Sequence, residues 1–153
     1  MSLYRPNVAV IVTDGHGKVL LCERVDGTLN VQTVQGGIDF GEKPLEAAVR
    51  EMQEELGLSS DKFEILDELP DTYNYDWPDD VAKKLHYTGF IGQEQTFFLA
   101  QVDANVSFDL DAHEREFGKV WWGTAQEMIE KAWPQKRPGL NAALRGFGLL
   151  GER

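Results

Sequence analysis

Acidic residues crowd around one predicted helix of this chain. The stretch from Gly36 to Leu58 holds five glutamates and one aspartate, in a sequence whose net charge is already −11. On a wheel of about 100° per residue, Glu51, Glu54 and Glu55 share one arc of roughly 100°. Like charges at this spacing destabilise a helix, and carboxylate oxygens are the ligands that hard cations such as Mg²⁺ prefer. The pattern therefore indicates either a solvated acidic face or a divalent metal site.

The same wheel predicts which face of the helix packs on the core. The apolar side chains fall on the arc next to the carboxylates, so the carboxylates are expected beside the core stripe rather than opposite it. Ala47 falls inside the acidic arc, where its small side chain leaves room for bound ions. Arg50 is one turn from both Glu46 and Glu54 and could hold a carboxylate in position. The predicted core stripe consists of Leu45, Ala48, Val49, Met52 and Leu56.

The spacing of the fixed residues in this stretch is that of a known motif. Gly36 is followed after five residues by Glu42 and, after seven more, by the run Arg-Glu-Met-Gln-Glu-Glu-Leu-Gly-Leu at 50–58. This run matches the Nudix box at every fixed position, and the chain resembles the Nudix hydrolases. The resemblance implies an α/β fold, a Nudix-type α/β/α sandwich with a mixed β-sheet between helices. It also implies cleavage of a nucleoside diphosphate linked to another group.

The resemblance further implies roles for the residues of the box. It makes Glu51 and Glu55 ligands of Mg²⁺, for which Mn²⁺ could substitute, and it makes Glu54 a further ligand or the general base. Gly36 would bring its backbone to the metal, and Arg50 joins Glu51 and Glu54 as a catalytic residue. Bound Mg²⁺ would neutralise the diphosphate and activate the attacking water.

Segments outside the box narrow the resemblance to one branch of the family. The runs 4–12, 92–102 and 116–122 look like the corresponding segments of RNA 5′-pyrophosphohydrolases and of the related dinucleoside tetraphosphate hydrolases. In that branch a glutamate before an aromatic residue joins the metal site, and Glu116 before Phe117 occupies that place. The alternative for Glu116 is ordinary loop charge. The run 31–37 departs from the branch, because two aromatic residues and a proline are missing, and this leaves open a different base or leaving-group pocket.

Basic, amide and aromatic side chains are the candidates for holding the substrate. Arginine and lysine bind phosphate through charge-assisted hydrogen bonds, and a tryptophan could stack a base. Each basic residue could instead be a solvated surface charge, and the tryptophan could be core packing. The predicted substrate-binding residues are Arg5, Arg24, Gln35, Gln93, Gln95, Trp133, Lys136 and Arg137.

These residues are positioned by a predicted alternation of strands and helices. Val8–Val12 and Lys18–Glu23 predict a hairpin, and Pro44 and Gly57 bound a helix over 44–56. The stretch 70–92, rich in Asp, Pro and Tyr, is expected to be a long functional loop. Strands interrupted by helices predict a mixed sheet between helical layers. The other predicted elements are an irregular stretch at 24–35 with a short strand at 31–34, strands at 63–69, 95–102 and 119–122, a helix that starts at the capping box Thr124–Glu127, and a helix at 139–147.

Length and composition predict a single domain over residues 1–153. The one cysteine, Cys22, cannot form an intrachain disulfide, and neither a signal peptide nor a membrane-spanning run is evident. We therefore expect a cytoplasmic protein with no membrane partner. Monomer and homodimer both stay open.

The leading functional expectation is Mg²⁺-dependent removal of pyrophosphate from 5′-triphosphorylated RNA, which leaves a 5′-monophosphate and promotes RNA decay. The alternatives are a hydrolase of dinucleoside polyphosphates or (deoxy)nucleoside triphosphates, and a binding module without turnover. A net charge of −11 repels distant phosphates and argues against a general nucleic-acid coat protein. For the same reason we expect only the terminal phosphates and about one or two nucleotides of an RNA to be contacted.

Overall fold

The fold is a mixed sheet with helices on both faces, seen in a computed structural model that describes residues 2–26 and 31–151. Within these residues eight strands form one sheet. The strands are β1 (Tyr4–Thr13), β2 (Val19–Arg24), β3 (Val31–Gln32), β4 (Val34–Gly37), β5 (Phe63–Glu68), β6 (Tyr73–Asp76), β7 (Gly92–Val102) and β8 (Phe117–Gly123). The helices are α1 (Pro44–Leu56), α2 (Asp79–Lys84), α3 (Ala125–Lys131) and α4 (Arg137–Gly146), with 3₁₀ turns at Ser60–Lys62, His86–Thr88 and Pro134–Lys136.

Strand β1 is the centre of the sheet. It pairs in parallel with β7 along its whole length, from Tyr4 opposite Gly92 to Thr13 opposite Gln101. Its other edge pairs antiparallel with β4 near its start and with β2 at Thr13. Strands β5 and β6 pair with β7, and β3 and β8 pair with β2. The start of β1 therefore lies between the glycines at the end of β4 and the first residues of β7.

Alternation along β1 supplies two hydrophobic cores. Val8, Val10 and Val12 face one side of the sheet and pack with the buried face of α1. Ala9 and Ile11 face the other side and pack with α3 and α4. Side chains that alternate between the faces of a strand produce this division. The layers confirm the predicted α/β/α sandwich.

Helix α1 has the bounds that the sequence predicts. Pro44 opens its first turn, where the missing N–H has no intrahelical partner to lose. Gly57 ends the helix with φ of 66°, a conformation that favours glycine. A side chain at this position would also meet the backbone carbonyl of Asp109, 2.5 Å from the ideal Cβ position. Both constraints fix the end of the helix and thus the position of the acidic residues before it.

The core face of α1 differs from the predicted one. Leu45, predicted in the core stripe, is 48% exposed, whereas Ala47 is fully buried. Glu51 and Glu55 are themselves buried, with 7% and 5% of their surface exposed. The buried arc is rotated by roughly 60° toward the carboxylates, because α1 packs against β4 as well as β1. The carboxylates therefore lie on the core face of the helix and not beside it.

The stretch 70–92 is not the long loop that its composition predicts. It contains β6, α2 and a 3₁₀ turn. Strand β6 pairs antiparallel with the start of β7. The missed signal is a period of two in the sequence, since Tyr75 and Trp77 are buried while Asn74 and Asp76 are exposed. The stretch therefore forms a structured wall next to the start of β7.

The remaining elements follow the sequence with shifted bounds. Strand β7 starts at Gly92, three residues before its predicted start, and α4 starts two residues early at Arg137. The side chain of Thr124 accepts a hydrogen bond from the Glu127 backbone N–H at 3.0 Å, as a helix cap should. Of the predicted irregular stretch 24–35, residues 27–30 lie outside the described residues, and β3 and β4 occupy most of its second half.

Candidate active site

A cleft of about 960 Å³ opens beside the start of β1. Its walls come from β1, β4, α1, the segment around β6 and α2, and the turn before α4. A cavity of this volume falls in the range of small-molecule sites. The sequence-predicted residues that line the cleft are Arg5, Arg24, Gln35, Gly36, Arg50, Glu51, Gln93, Glu116, Trp133 and Lys136.

Arg50 links the loop before α1 to the acidic residues of the helix. Its Nε and Nη2 donate to the two carboxylate oxygens of Glu42 at 2.8 and 2.9 Å. Its Nη2 also donates to the Gly37 carbonyl at 2.9 Å, and its Nη1 donates to Glu51 Oε1 at 2.6 Å and to Glu54 Oε2 at 3.4 Å. The guanidinium lowers the pKa of Glu42 to about 2, mainly by hydrogen bonding. The fork geometry of arginine therefore fixes the last glycine of β4 and three box glutamates in one arrangement.

The role of Glu46 differs from the one suggested by its spacing from Arg50. Its Oε1 accepts a hydrogen bond from the Lys43 backbone N–H at 2.8 Å. The side chain thus satisfies a backbone donor just before α1, as the acidic partner of a capping box does. Arg50 is left to Glu42, Glu51 and Glu54.

Glu55 is a buried carboxylate with an incomplete set of partners. Its Oε1 accepts a hydrogen bond from the Gln35 backbone N–H at 3.3 Å, and its Oε2 has no hydrogen-bond partner among the described residues. Burial raises the pKa of Glu55 well above its usual value, and the adjacent Glu51 carboxylate and the charge of Glu116 raise it further. A buried oxygen without a partner is costly, so this site would gain from a cation.

Glu116 lies near the same acidic group although it comes from the start of β8. Burial raises the pKa of its half-buried carboxyl, and the negative charge of Glu51 raises it further, while Arg24 opposes the shift. The backbone carbonyl of Glu116 accepts a hydrogen bond from Val25 at 2.8 Å, which fixes this residue against the end of β2. The fold therefore brings together carboxylates that are some sixty residues apart in the sequence.

The acidic residues have the donor atoms that a hard divalent cation prefers, although their side chains are not arranged around a common point. Among residues 2–26 and 31–151, no group of three or more His, Cys, Asp or Glu side chains is arranged so that it could hold a metal ion. Arg50 compensates Glu51 and Glu54 instead. Yet the donors are all carboxylate oxygens, two of the glutamates are buried, and Glu55 Oε2 lacks a partner. Hard oxygen donors of this kind suit Mg²⁺ or Mn²⁺.

Gly36 and Gly37 allow close contacts from two directions. A Cβ at Gly36 would overlap the carboxylate of Glu51, and a Cβ at Gly37 would overlap the guanidinium of Arg5. At Gly36 the backbone of β4 thus contacts a charged group from α1, and at Gly37 it contacts a charged group from β1. Glycine permits this approach because it has no side chain.

A row of amides crosses the sheet from behind the cleft, at Gln95, to its lining, at Asn7 and Gln35. Gln95 on β7 donates from Nε2 to Asn7 Oδ1 at 3.0 Å, and Asn7 on β1 donates from Nδ2 to Gln35 Oε1 at 3.1 Å. Asn7 is 1% exposed and Gln95 is 4% exposed. The row, Gln95–Asn7–Gln35, ends at the residue whose backbone N–H holds Glu55. The sequence analysis missed Asn7; its signal is a polar residue directly before the apolar run 8–12.

Lys136 is buried between two aromatic rings of the cleft. Its Nζ lies 4.8 Å from the Trp133 ring centroid and 5.4 Å from that of Tyr75. Burial, with a smaller contribution from the charge of Arg24, lowers the pKa of Lys136 to about 7. A buried ammonium without a carboxylate partner favours loss of its proton, and a bound phosphate would reverse this.

Four predicted residues lie outside the lining of the cleft, and one of them is the buried Glu55, which lies against the Gln35 backbone. Gln95 is behind the cleft in the amide row, and Glu54 is half-buried beside Arg50, with His113 Nε2 at 4.0 Å on its other side. Arg137 is exposed, donates to the Glu130 carbonyl at 3.0 Å, and lines a different groove. The structure therefore brings Lys136 to the cleft but not Arg137. No helix in the described residues combines the length and apolarity needed to cross a membrane.

Comparison with known proteins points to one family. The model of the NUDIX domain matches residues 3–143. An RNA pyrophosphohydrolase of a Nitratiruptor species is 36% identical over 148 residues, which cover 94% of this chain and 93% of the relative. An RNA pyrophosphohydrolase of Helicobacter pylori is 37% identical over 138 residues, which cover 88% and 86%.

Solved structures agree in fold. The E. coli dihydroneopterin triphosphate pyrophosphohydrolase has a TM-score of 0.75 at 16% identity and covers 95% of this chain and 99% of its own. The C. elegans Ap4A hydrolase has a TM-score of 0.69 at 17% identity, with coverage of 94% and 96%. At these identities the likeness concerns the fold alone.

The amide row yields a prediction about stability. Asn7→Leu is expected to lower the free energy of unfolding by about 1–3 kcal/mol, because it leaves the buried Gln95 amide and the half-buried Gln35 amide without their partner. Urea unfolding measures this loss. Asn74→Leu makes the same chemical change at an exposed position of β6 and should stay within about 0.5 kcal/mol. Equal losses in the two variants would show that the row does not stabilise the fold.

The buried lysine predicts a pH dependence of stability. Between the folded pKa of Lys136 near 7 and the unfolded value of about 10.4, the unfolded chain binds more protons, so stability rises with pH. Lys136→Met should remove this rise, which is on the order of 2–3 kcal/mol between about pH 7 and pH 9.5. Urea unfolding across that range tests it, with Lys18→Met as an exposed control. An unchanged pH slope in Lys136→Met would refute the assignment.

Proposed function

The chain belongs to the NUDIX domain family and is a Nudix hydrolase, and from that premise we propose that it is an RNA pyrophosphohydrolase. It cleaves the anhydride between the first and second phosphates of 5′-triphosphorylated RNA. Water adds to phosphorus, pyrophosphate leaves, and the RNA keeps a 5′-monophosphate, which promotes its decay. The observation that supports this most is the 36–37% identity to RNA pyrophosphohydrolases over nearly the whole of both chains.

A divalent metal is a general need of Nudix hydrolases, and we propose Mg²⁺, with Mn²⁺ as a substitute. Glu51, Glu55 and Glu116, with the backbone of Gly36, would hold it. Bound there, it would neutralise the phosphates and lower the pKa of the attacking water. The buried, partnerless Oε2 of Glu55 and the close approach of Gly36 to Glu51 support this choice of residues.

The chain's own residues would then position the attack. Glu54 is the base or a further ligand; it is only half-buried and borders the acidic group, so it can accept a proton from water and release it to solvent. Arg50 acts through its neighbours, since it holds the Glu51 and Glu54 side chains and the Gly37 carbonyl. It is therefore better described as a positioning residue than as a catalytic one.

The opposite wall of the cleft would bind the substrate. Arg5, Arg24 and Lys136 provide positive charge for the terminal phosphates. Trp133 and Tyr75 provide ring faces against which a base could stack. Gln93 is buried, and its Oε1 has no hydrogen-bond partner among the described residues, so it offers an acceptor to a ribose hydroxyl or base.

A second candidate keeps the same chemistry with a smaller substrate. The run 31–37 lacks two aromatic residues and a proline of the branch, and this leaves room for a different base or leaving-group pocket. Such a pocket would suit dinucleoside polyphosphates or nucleoside triphosphates. Mass analysis of the products from triphosphorylated RNA, a dinucleoside tetraphosphate and free nucleotides separates the two. Pyrophosphate release from RNA at the highest kcat/KM supports the main proposal. If the protein hydrolyses nucleotides but releases no pyrophosphate from any triphosphorylated RNA, the second candidate is correct.

The acidic group yields the matching prediction for mutants. Glu54→Gln and Glu55→Gln should each lower kcat by at least ~100-fold, because each removes a base or a metal ligand. Glu116→Gln should lower kcat or raise the Mg²⁺ requirement, whereas Glu114→Gln, at an exposed neighbouring position, should do neither. Steady-state kinetics at saturating Mg²⁺, with thermal melting to check the fold, measures both. Near-wild-type kcat in the Glu54 and Glu55 variants would contradict the proposed site.

A further inference from the structure

A second groove of about 770 Å³ adjoins the cleft on the side of β8 and α3. Trp133 and Pro134 line both the cleft and this groove, so the two depressions are adjacent and share a wall. We call this second groove the Trp121 groove. Its other lining residues are Glu23, Val31, Lys119, Trp121, Glu130, Lys131, Ala132 and Arg137.

The Trp121 groove is much less acidic than the protein as a whole, since its three cations balance its two lining carboxylates and Glu127, which pairs with Lys131. Its lining has three cations, Lys119, Lys131 and Arg137, against two carboxylates, whereas the whole chain has 15 Lys and Arg against 26 Asp and Glu. Lys119 and Arg137 make no ion pair among the described residues. Cations gathered in a concave surface attract a polyanion that the rest of the chain repels.

The indole of Trp121 is held in place within this groove. Its Nε1 donates to Glu127 Oε2 at 3.3 Å, and Lys131 Nζ bonds the same carboxylate oxygen at 2.8 Å. The ammonium groups of Lys119 and Lys131 lie 4.9 and 5.5 Å from the ring centroid. A fixed aromatic ring with cations around it is the combination that binds single-stranded nucleic acid, because bases stack on the ring and phosphates pair with the cations.

We propose that the Trp121 groove binds the part of the RNA that follows the 5′-terminal nucleotides in the cleft. The proposal rests on the proposed function, since it concerns the same substrate. Because the groove adjoins the cleft at Trp133, an RNA chain can pass from one to the other over this residue. Lys119 and Arg137, which make no ion pair among the described residues, would attract its phosphates there. Contact thus extends beyond the one or two nucleotides that the acidic composition alone predicts.

The test compares triphosphorylated RNAs that differ only in length. For the wild-type protein kcat/KM is expected to rise by at least about fivefold from a dinucleotide to a hexanucleotide, the lower end of the effect of one stacked base. Lys119→Glu should abolish this rise through KM and leave kcat/KM on the dinucleotide within about twofold. It should also lower the magnitude of the salt slope for the hexanucleotide by about 0.7, the value for one phosphate contact on a single strand. Lys62→Glu, an equal charge change at an exposed site outside both depressions, should change neither quantity.

A second variant separates stacking from charge. Trp121→Leu should reduce the length effect as well, while Trp121→Phe should restore part of it, because phenylalanine keeps a stacking face. The substitution at Lys119 keeps the test decisive if Trp121→Leu does not fold. The same measurements on the Lys62→Glu control show how much a charge change outside the groove alters the dependence of kcat/KM on RNA length.

Several outcomes would overturn the proposal. They are a wild-type protein that ignores RNA length, and a Lys119→Glu variant that slows the dinucleotide as much as the hexanucleotide. A third is a Lys119→Glu or Trp121→Leu variant whose kinetics are unchanged but whose oligomeric state differs in sedimentation. That result would make the groove a contact between copies of this chain. These results differ from failure of the proposed function itself, in which no triphosphorylated RNA of any length releases pyrophosphate.

Discussion

The burial of two glutamates on the core face of α1 is the constraint on which the site depends. Glu51 and Glu55 are more than 90% buried, and an uncompensated buried charge destabilises a fold by several kcal/mol. The protein meets this in two ways: Arg50 pairs with Glu51, and burial raises the pKa of Glu55, which favours its neutral form. An arrangement that is costly without a cation is one that a divalent cation would stabilise.

The geometry around α1 follows from that constraint. Arg50 bonds Glu51 with one edge of its guanidinium while Glu42 and the Gly37 carbonyl bond the other edges. The backbone at Gly36 lies against the Glu51 carboxylate, so a side chain there would displace that carboxylate from its place beside Arg50. Gly57 stops the helix directly after Glu55 and Leu56, so the register of the acidic residues cannot slide. The residues at the fixed positions of the motif thus contact one another and form one connected set.

Much of this could be predicted from the sequence, because it is local. The bounds of α1, its cap at Gly57 and the turn that joins β1 to β2 depend on propensity and spacing over a few residues. The orientation of α1 could not, since the small residues of β4 let the helix rotate its carboxylates inward, and Leu45 is exposed as a result. Asn7 was missed because a single polar residue at the start of a strand gains its meaning only from Gln35 and Gln95, which are distant in sequence. Arg137 was grouped with Lys136 by adjacency, yet successive residues at the start of a helix point in different directions.

The distribution of charge gives the net negative charge a consistent explanation. Five of the lysines and arginines line the cleft and three line the Trp121 groove, which together is about half of the chain's fifteen. The acidic residues are spread much more widely, since those two linings hold less than a third of the 26. A polyanion therefore meets repulsion over most of the surface and much weaker repulsion along these two linings, where eight cations balance eight carboxylates. Such a surface keeps nonspecific binding of RNA weak, because nonspecific affinity comes almost wholly from phosphate contacts. It leaves the 5′ end, with its extra phosphates, as the part of the molecule that gains most from reaching the site.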